Sequence, residues 1–376
     1  MPKNIILVNQ VTGPMFIDIA NEYVKKYSKV TLLTGAIEPT YSKLCNQITV
    51  VRQTRYNRSN LYLRIITWVL FTIQSFLYIV KQKGHPSLLF STNPPFLPFL
   101  INYLDKSLKI DLLIYDIYPN ILAKYGYINE NSFLYKHWSM LNVKVFNYVN
   151  KIITISKSMA KILGGYTEYG NIKIISPWVN TSYIRPIKRN NNWFTKKFRL
   201  EDKIVILYSG NMGKTHSLLP LLDAAKYFNG KRKEFHFLFI GDGSGKKELV
   251  DFADINGLKN VSFLPYQSMQ VLPYSFSTAS YGVVSQSEGF ESMSLPSKTF
   301  YYLAAGNAII SISSKGSELE RLIQENKCGI TITPGNSHHA LVKKLIKTDR
   351  QLLNEFQKQS RLLSHKYSVS NVCQFI

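Results

Sequence analysis

The chain reads as an α/β protein of the doubly wound kind, built from two Rossmann-like domains facing each other across a cleft. Three observations predict this. Short apolar, β-branched runs alternate with helical patterns throughout the 376 residues. The runs are apolar without polar–apolar alternation, as parallel strands buried on both faces must be. A basic, turn-rich stretch, Arg185-Pro-Ile-Lys-Arg-Asn-Asn-Asn-Trp, then breaks the series in two. At about twice the usual domain length, the chain has room for two cores.

The first series has strands at 4–8, 29–33, 48–51, 87–91, 110–115 and 151–155. The second has them at 204–209, 235–240, 260–264, 281–285, 308–312 and 329–332. The expected organisation is an N-terminal domain at 1–184, a linker at 185–200, a C-terminal domain at 201–355 and a C-terminal helix at 356–376 returning to the first domain. No repeat of solenoid length occurs. Ligands of such sheets sit beyond the carboxyl ends of the strands, so chemistry is sought there.

Composition narrows the partners. Lys plus Arg number 46 against 23 acidic residues, a net charge of +23. Residues 1–185 hold 21 of the cations and 8 of the acids, so no single basic tail accounts for the excess. A negatively charged partner follows: a nucleotide, an anionic membrane or a nucleic acid. The last is disfavoured, because neither an RNP-like string nor a helix-turn-helix pattern stands out. The three cysteines, Cys45, Cys328 and Cys373, lie far apart without metal spacing, as in a reducing compartment. No signal peptide is read at the amino terminus, and a cytoplasmic location is expected.

One segment, 61–80 (LYLRIITWVLFTIQSFLYIV), is apolar over most of its circumference. Arg52, Arg55, Arg58 and Arg64 lead into it, and Lys81 and Lys83 follow. Counted from Ile65, its apolar length falls short of the roughly 20 residues that span a bilayer. It is read as an interfacial helix with basic flanks or, equally, as a helix packed on the first sheet.

Three loops of the second half carry the candidate chemistry. Tyr208-Ser-Gly-Asn-Met-Gly-Lys-Thr joins a strand to a helix expected near Ser217. Its glycines let backbone approach a phosphate, and Lys214 adds charge. A P-loop is excluded, because Tyr208 stands where the first glycine of that motif belongs. Gly241-Asp-Gly-Ser-Gly-Lys-Lys-Glu is a second strand–turn–helix, whose glycines a positive-φ turn explains equally well. The longest is Ser285-Gln-Ser-Glu-Gly-Phe-Glu-Ser-Met-Ser-Leu-Pro-Ser-Lys-Thr-Phe-Tyr-Tyr-Leu-Ala-Ala-Gly. It brings Glu288 and Glu291 in front of a helix that starts near Lys298 and ends at Gly306. The carboxylates suit sugar hydroxyls and Lys298 suits a phosphate; simple capping of the helix is the plainer alternative.

Together these segments resemble the retaining glycosyltransferases of family 4, which have the GT-B fold. The likeness is strongest from Ile204 to Pro334, through the Ser-Gly-Asn-Met-Gly turn, Ile-Gly-Asp-Gly, Asn260-Val-Ser-Phe-Leu-Pro, the Leu-Pro-Ser-Lys helix, Gly316-Ser-Glu-Leu and Cys328-Gly-Ile. Ser91-Thr-Asn-Pro-Pro-Phe, Tyr115-Asp-Ile-Tyr-Pro and Ile174-Ile-Ser-Pro-Trp-Val-Asn look like markers of the fucosyl- and N-acetylfucosaminyltransferases of bacterial surface polysaccharides, in capsule or O-antigen assembly.

The resemblance implies a nucleotide-sugar donor, UDP-linked in preference to GDP-linked, and no other cofactor. Gly210, Asn211, Gly213 and Lys214 would face its diphosphate, with Lys298 as a second cation and Ser297 beside it. Gly241 and Gly243 would border the nucleoside, and Tyr266 the base. Glu291 would contact the donor sugar, with Glu288 as the substitute. Gly13 and Asp116 would face a lipid-linked saccharide acceptor, so that catalysis rests on Glu291, Glu288, Lys214 and Asp116. Similar proteins carry a second glutamate five residues before the helix-ending glycine, where this chain has Tyr301. No Asp-x-Asp occurs, and the implied hexosyl or N-acetylhexosaminyl transfer would run without a metal. The location implied is the inner face of the cell membrane, held peripherally through the Arg52–Lys83 region. A GT-B-like epimerase or hydrolase acting on nucleotide-sugars is the competing enzyme class.

Overall fold

Strand formation follows the apolar runs, and helices fill the intervals. The structure is a computed structural model describing residues 4–213, 218–291, 295–335 and 337–376, without the side chains of 337 and 338. It divides into two units, Met1–Pro177 with Ser370–Ile376, and Trp178–Val369.

The first unit holds β1 (Asn4–Val8), the short β2 (Val11–Thr12), β3 (Lys29–Thr34), the short β4 (Ala36–Ile37), β5 (Ile48–Arg52), β6 (Ser87–Ser91), β7 (Ile110–Ile114), β8 (Lys151–Thr154) and β9 (Ile172–Ile174). Seven of these make one parallel sheet in the order β5-β3-β1-β6-β7-β8-β9, while β2 pairs with β4. The central strands are almost wholly buried, as the unalternating runs require. The sequence reading missed β2, β4 and β9. Two or three residues are too short for a periodicity signal.

The second unit holds β10 (Ile204–Ser209), β11 (Phe235–Ile240), β12 (Val261–Leu264), β13 (Tyr281–Ser285), β14 (Ala308–Ile312) and β15 (Gly329–Ile332), all parallel in the order β12-β11-β10-β13-β14-β15. In each main sheet the chain moves outward for three strands, then crosses back to the other side of the first. That reversal makes a switch point, between β1 and β6 in one unit and between β10 and β13 in the other. A ligand crevice is expected outside the strand ends there.

Two expected boundaries are corrected. The stretch expected as a linker at 185–200 belongs to the second unit's core, with Ile184, Phe194 and Leu200 buried there. Its polar residues are spent on fixing it in place. Arg189 donates to the carbonyls of Leu200, Glu201 and Lys203, at 3.1, 2.7 and 2.6 Å. Asn192 caps the Trp193–Lys197 helix. The unit boundary falls earlier, after Pro177. The C-terminal helix, Arg350–Ser364, packs on the Lys298–Ala305 helix and on β14 and β15 of the second unit. Only Ser370–Ile376 belongs to the first.

The Leu61–Val80 segment is one helix of 20 residues, about 30 Å long. Its mean hydropathy of 1.7 makes it long and apolar enough, by length and composition, to cross a membrane. Counting from Ile65 cut it short. The helix starts at the Asn60 cap, whose side chain accepts from the Leu63 amide at 2.8 Å. It joins β5 to β6, two strands of one sheet, so it is a crossover and not a span. Phe71, Ser75 and Ile79 face inward, whereas Tyr62, Ile73, Leu77 and Val80 are 49–74% exposed.

Candidate active site

In the second unit the loops after β10 and β11 are clamped together. The Met212 amide donates to the Asp242 carbonyl at 2.7 Å, and the Gly245 amide returns the contact to Met212 at 2.8 Å. This close approach needs glycine. A Cβ on Gly241 would lie 2.0 Å from the Gly210 carbonyl oxygen, and one on Gly243 would lie 2.6 Å from Met212. Gly210, Gly241 and Gly243 have φ of 145°, 141° and 151°, where side chains are disfavoured. The two Gly-rich motifs are therefore one structure, a thin double loop at the switch point. Asn211 is exposed on it, and Gly213 closes its described part. Lys214 lies outside the described residues, as does Ser217.

Over this double loop stands Lys298, at the start of the Lys298–Ala305 helix. Its amine is 4.0 Å from the centroid of the Tyr208 ring and 2.9 Å from where a Gly210 Cβ would be. The amine is buried and meets no hydrogen-bond partner among the described residues. Burial pushes its pKa down from 10.5 to about 8. Tyr302, one turn along, explains the placement. Its hydroxyl donates to the Leu207 carbonyl at 3.1 Å and accepts from the Ser209 amide at 2.8 Å, tying the helix to the end of β10. Sequence reading passed over Tyr302, because a Tyr in an apolar helix looks like core. Ser297 is exposed just before the helix. Tyr301 stacks on Phe276, with centroids 5.6 Å apart, and so packs with the core.

The loop after β13 brings Glu291 to the end of β14. Its carboxylate accepts from the Ser314 amide at 3.3 Å and from the Ser314 hydroxyl. Glu288, in contrast, is exposed with no hydrogen bond or ion pair among the described residues. Of the two, Glu291 is the one held in place. Tyr266 is exposed and donates weakly to the Asp242 carbonyl at 3.5 Å, which puts it beside the double loop. Lys298, Gly210, Gly241, Gly243 and Tyr266 thus gather beyond the ends of β10, β11 and β12, with Glu291 at the end of β14, on the far side of β13.

The first unit's switch point is built differently. Ser91, ending β6, donates to the Asn9 side chain at 2.8 Å, and the Gln10 amide donates to the Asn93 carbonyl at 2.9 Å. The Gln10 side chain reaches the carbonyls of Thr54 and Thr67, at 3.2 and 2.9 Å, which fastens the Leu61–Val80 helix to this end of the sheet. Asp116 follows β7, and its amide donates to the Thr92 hydroxyl at 3.3 Å. Its carboxylate has no partner among the described residues, and burial raises its pKa. Gly13 starts the Pro14–Tyr23 helix with φ of −91°, and a Cβ there would meet Glu38 at an ordinary 3.6 Å. Neither conformation nor packing requires a glycine at that position.

Residues 190–363 match the family model of glycosyl transferases group 1. The probable glycosyltransferase WbjE of Pseudomonas aeruginosa is 23% identical over 340 residues, 86% of this chain and 82% of that protein. Among solved structures, sucrose-phosphate synthase from Thermosynechococcus elongatus superposes with a TM-score of 0.76 at 13% identity, covering 99% of this chain and 96% of the other. HepE of Anabaena, solved with UDP and glucose, gives 0.71 at 13% identity, covering 99% and 97%. WaaG, a glycosyltransferase involved in lipopolysaccharide biosynthesis, gives 0.70 at 13%, covering 98% and 97%. The fold is the two-domain GT-B fold, and the matches support a glycosyltransferase, with the likeness to group 1 lying in residues 190–363. They are silent on fucosyl or N-acetylfucosaminyl specificity.

Proposed function

We propose that the chain transfers a hexosyl or N-acetylhexosaminyl group from a nucleotide-sugar, UDP-linked in preference to GDP-linked, to a lipid-linked saccharide, with retention at the anomeric carbon. The observation that carries this is Lys298. A buried cation that has an aromatic ring beside it, but neither hydrogen bond nor ion pair among the described residues, is costly unless an anion arrives to pair with it. A donor diphosphate is such an anion, and the UDP bound by HepE supports that choice.

As the bond to the sugar breaks, negative charge builds on the departing diphosphate. Lys298 meets it, joined by Lys214 and by the backbone amides of Asn211 and Gly213, while Gly210, whose own amide is bonded to the Ile240 carbonyl, lets the backbone come close. Gly241 and Gly243 keep the floor thin beside the nucleoside, and Tyr266 borders the base. Glu291, held by Ser314, orients hydroxyls of the donor sugar. Asp116 receives the acceptor hydroxyl, near the loop at Gly13. With lysines supplying the countercharge, the reaction proceeds without a metal.

The acceptor and location rest on the Leu61–Val80 helix. Between Glu38 and Asp105 no acidic residue occurs, against seven Lys or Arg. An exposed apolar stripe in so basic a stretch suits an anionic membrane at the cytoplasmic side. WaaG's part in lipopolysaccharide biosynthesis points to a surface saccharide, capsule or O-antigen, as the product.

The test is a panel of nucleotide-sugars read by thermal shift, followed by product analysis with lipid-linked saccharides. A UDP-sugar should raise the melting temperature and be consumed only with acceptor. No stabilisation by any member would refute the donor site. Free sugar or an epimer formed without acceptor would move the chain to the hydrolase or epimerase class.

A further inference from the structure

The Leu61–Val80 helix carries one residue that its own pattern does not explain. Arg64 lies on the inward stripe with Trp68, Phe71, Ser75 and Ile79, at spacings of four, seven, eleven and fifteen, where an apolar side chain belongs. Its guanidinium makes no ion pair or hydrogen bond among the described residues, and its Nε is buried. The neighbouring cations differ. Arg58, exposed, sits 3.6 Å from Glu38 and over the Tyr56 ring. A buried donor without a partner calls for an explanation.

The surroundings supply one. An aromatic chain crosses this strand end: Tyr56 stacks on Trp68 at 5.9 Å, Trp68 meets Phe96 at 6.0 Å, Phe96 meets Trp138 at 5.5 Å, and Trp138 stacks on Tyr118 at 5.9 Å. Tyr118, at the end of this chain of rings, lies within electrostatic reach of both Asp116 and Arg64. Tyr62 and Ile65, on either side of Arg64 in the chain, belong to the exposed apolar stripe that begins at Leu61. Within one turn the helix therefore offers a planar cation inward and an apolar surface outward.

We infer that Arg64 holds the phosphate of an amphiphilic acceptor, a lipid-linked phosphate or diphosphate, whose hydrocarbon lies along the outer stripe and whose sugar reaches toward Asp116. Guanidinium matches phosphate oxygens two at a time, which an ammonium does not. The inference deepens the acceptor reading above and rests on it. Arg64 is a binding residue for the acceptor, apart from the diphosphate site at Lys298.

The test titrates farnesyl diphosphate, below its micelle concentration, into the full chain by calorimetry. R64Q should weaken binding at least tenfold, with R64K intermediate, and R58Q should stay within twofold of the parent. Urea unfolding followed by circular dichroism, expected to be unchanged, confirms that R64Q is folded, and binding of UDP, which reads the second unit, should be equal in all four proteins. The inference is overturned if R64Q binds farnesyl diphosphate within twofold of the parent, or if R58Q loses as much as R64Q. It is also overturned if R64Q loses inorganic diphosphate equally, since the ligand would then be a free phosphate. If UDP binds to none of the proteins, the donor reading fails while the Arg64 result stands separately.

Discussion

The two sheets share a strand order and differ at their switch points. The second unit ends β10 and β11 in glycines and covers them with one buried lysine. The first ends β1, β6 and β7 in amides, hydroxyls, tyrosines and an unpaired carboxylate. Bare backbone with a buried cation suits a compact, highly charged group. Side-chain amides and rings suit a polyhydroxy group that is read by shape. The outer surfaces diverge as well, since the first unit leaves a long apolar stripe on the Leu61–Val80 helix uncovered. The same frame thus presents two different surface chemistries through its loops alone.

The sharpest way to break this contrast is to put a methyl group at the loop after an early strand in each unit. Gly241→Ala meets a carbonyl oxygen at 2.0 Å with φ at 141°, and should cost about 3 kcal/mol or more and abolish nucleotide-sugar binding. Gly13→Ala has room and an ordinary φ, and should cost less than about 0.5 kcal/mol. Urea unfolding measures both. Equal costs would end the distinction between the loops.

Next in size is Lys298→Met, which should weaken donor binding at least tenfold at neutral pH and yet raise stability by on the order of 2 kcal/mol. The sign follows from the native pKa of about 8, below the ordinary 10.5. Below pH 8 the native state holds a buried charge at its full cost. Between about 8 and 10.5 the unfolded chain binds more protons, so stability rises with pH. Donor affinity should run the other way, falling as pH passes 8 and the amine discharges. Calorimetry and melting curves across pH 6.5–9.5 check both. A destabilised Met variant with unchanged donor affinity would make Lys298 an ordinary packing residue.

On the first unit, Asp116→Asn should lower turnover about tenfold and leave donor affinity unchanged, which separates acceptor from donor in steady-state assays. The smallest effect on stability belongs to the outer stripe. Ile73→Gln with Leu77→Gln should shift stability by less than about 0.5 kcal/mol, since both side chains are 49% exposed, while reducing co-sedimentation with anionic vesicles several-fold. Vesicle binding that survives the pair would remove the stripe from the membrane surface.

Much of the frame was legible in the sequence, because buried parallel strands are written as unalternating apolar runs. The loops that hold Gly210, Gly241 and Lys298 were legible as motifs. Their meeting was not, because the clamp between Met212 and Asp242 joins residues thirty apart with no local signature. Tyr302 and Ser314 were invisible for the same reason, since each acts on a residue distant in sequence. The expected linker at 185–200 misled because basic, Asn-rich composition reads as solvated, and nothing local shows that Arg189 will be spent on three carbonyls. Arg64 reads in the sequence as one flanking charge among several. Its inward direction depends on where the helix begins, and Asn60 decides that.

The segment Ser370–Ile376 bears on how this protein is made. Val372 and Phe375 are buried in the first unit, where the Tyr23 hydroxyl donates to the Phe375 carbonyl at 3.3 Å and Lys26 reaches the Ile376 carbonyl. A ribosome must therefore finish the whole second unit before the first receives its closing piece. During synthesis the Pro14–Tyr23 helix waits with part of its covering missing.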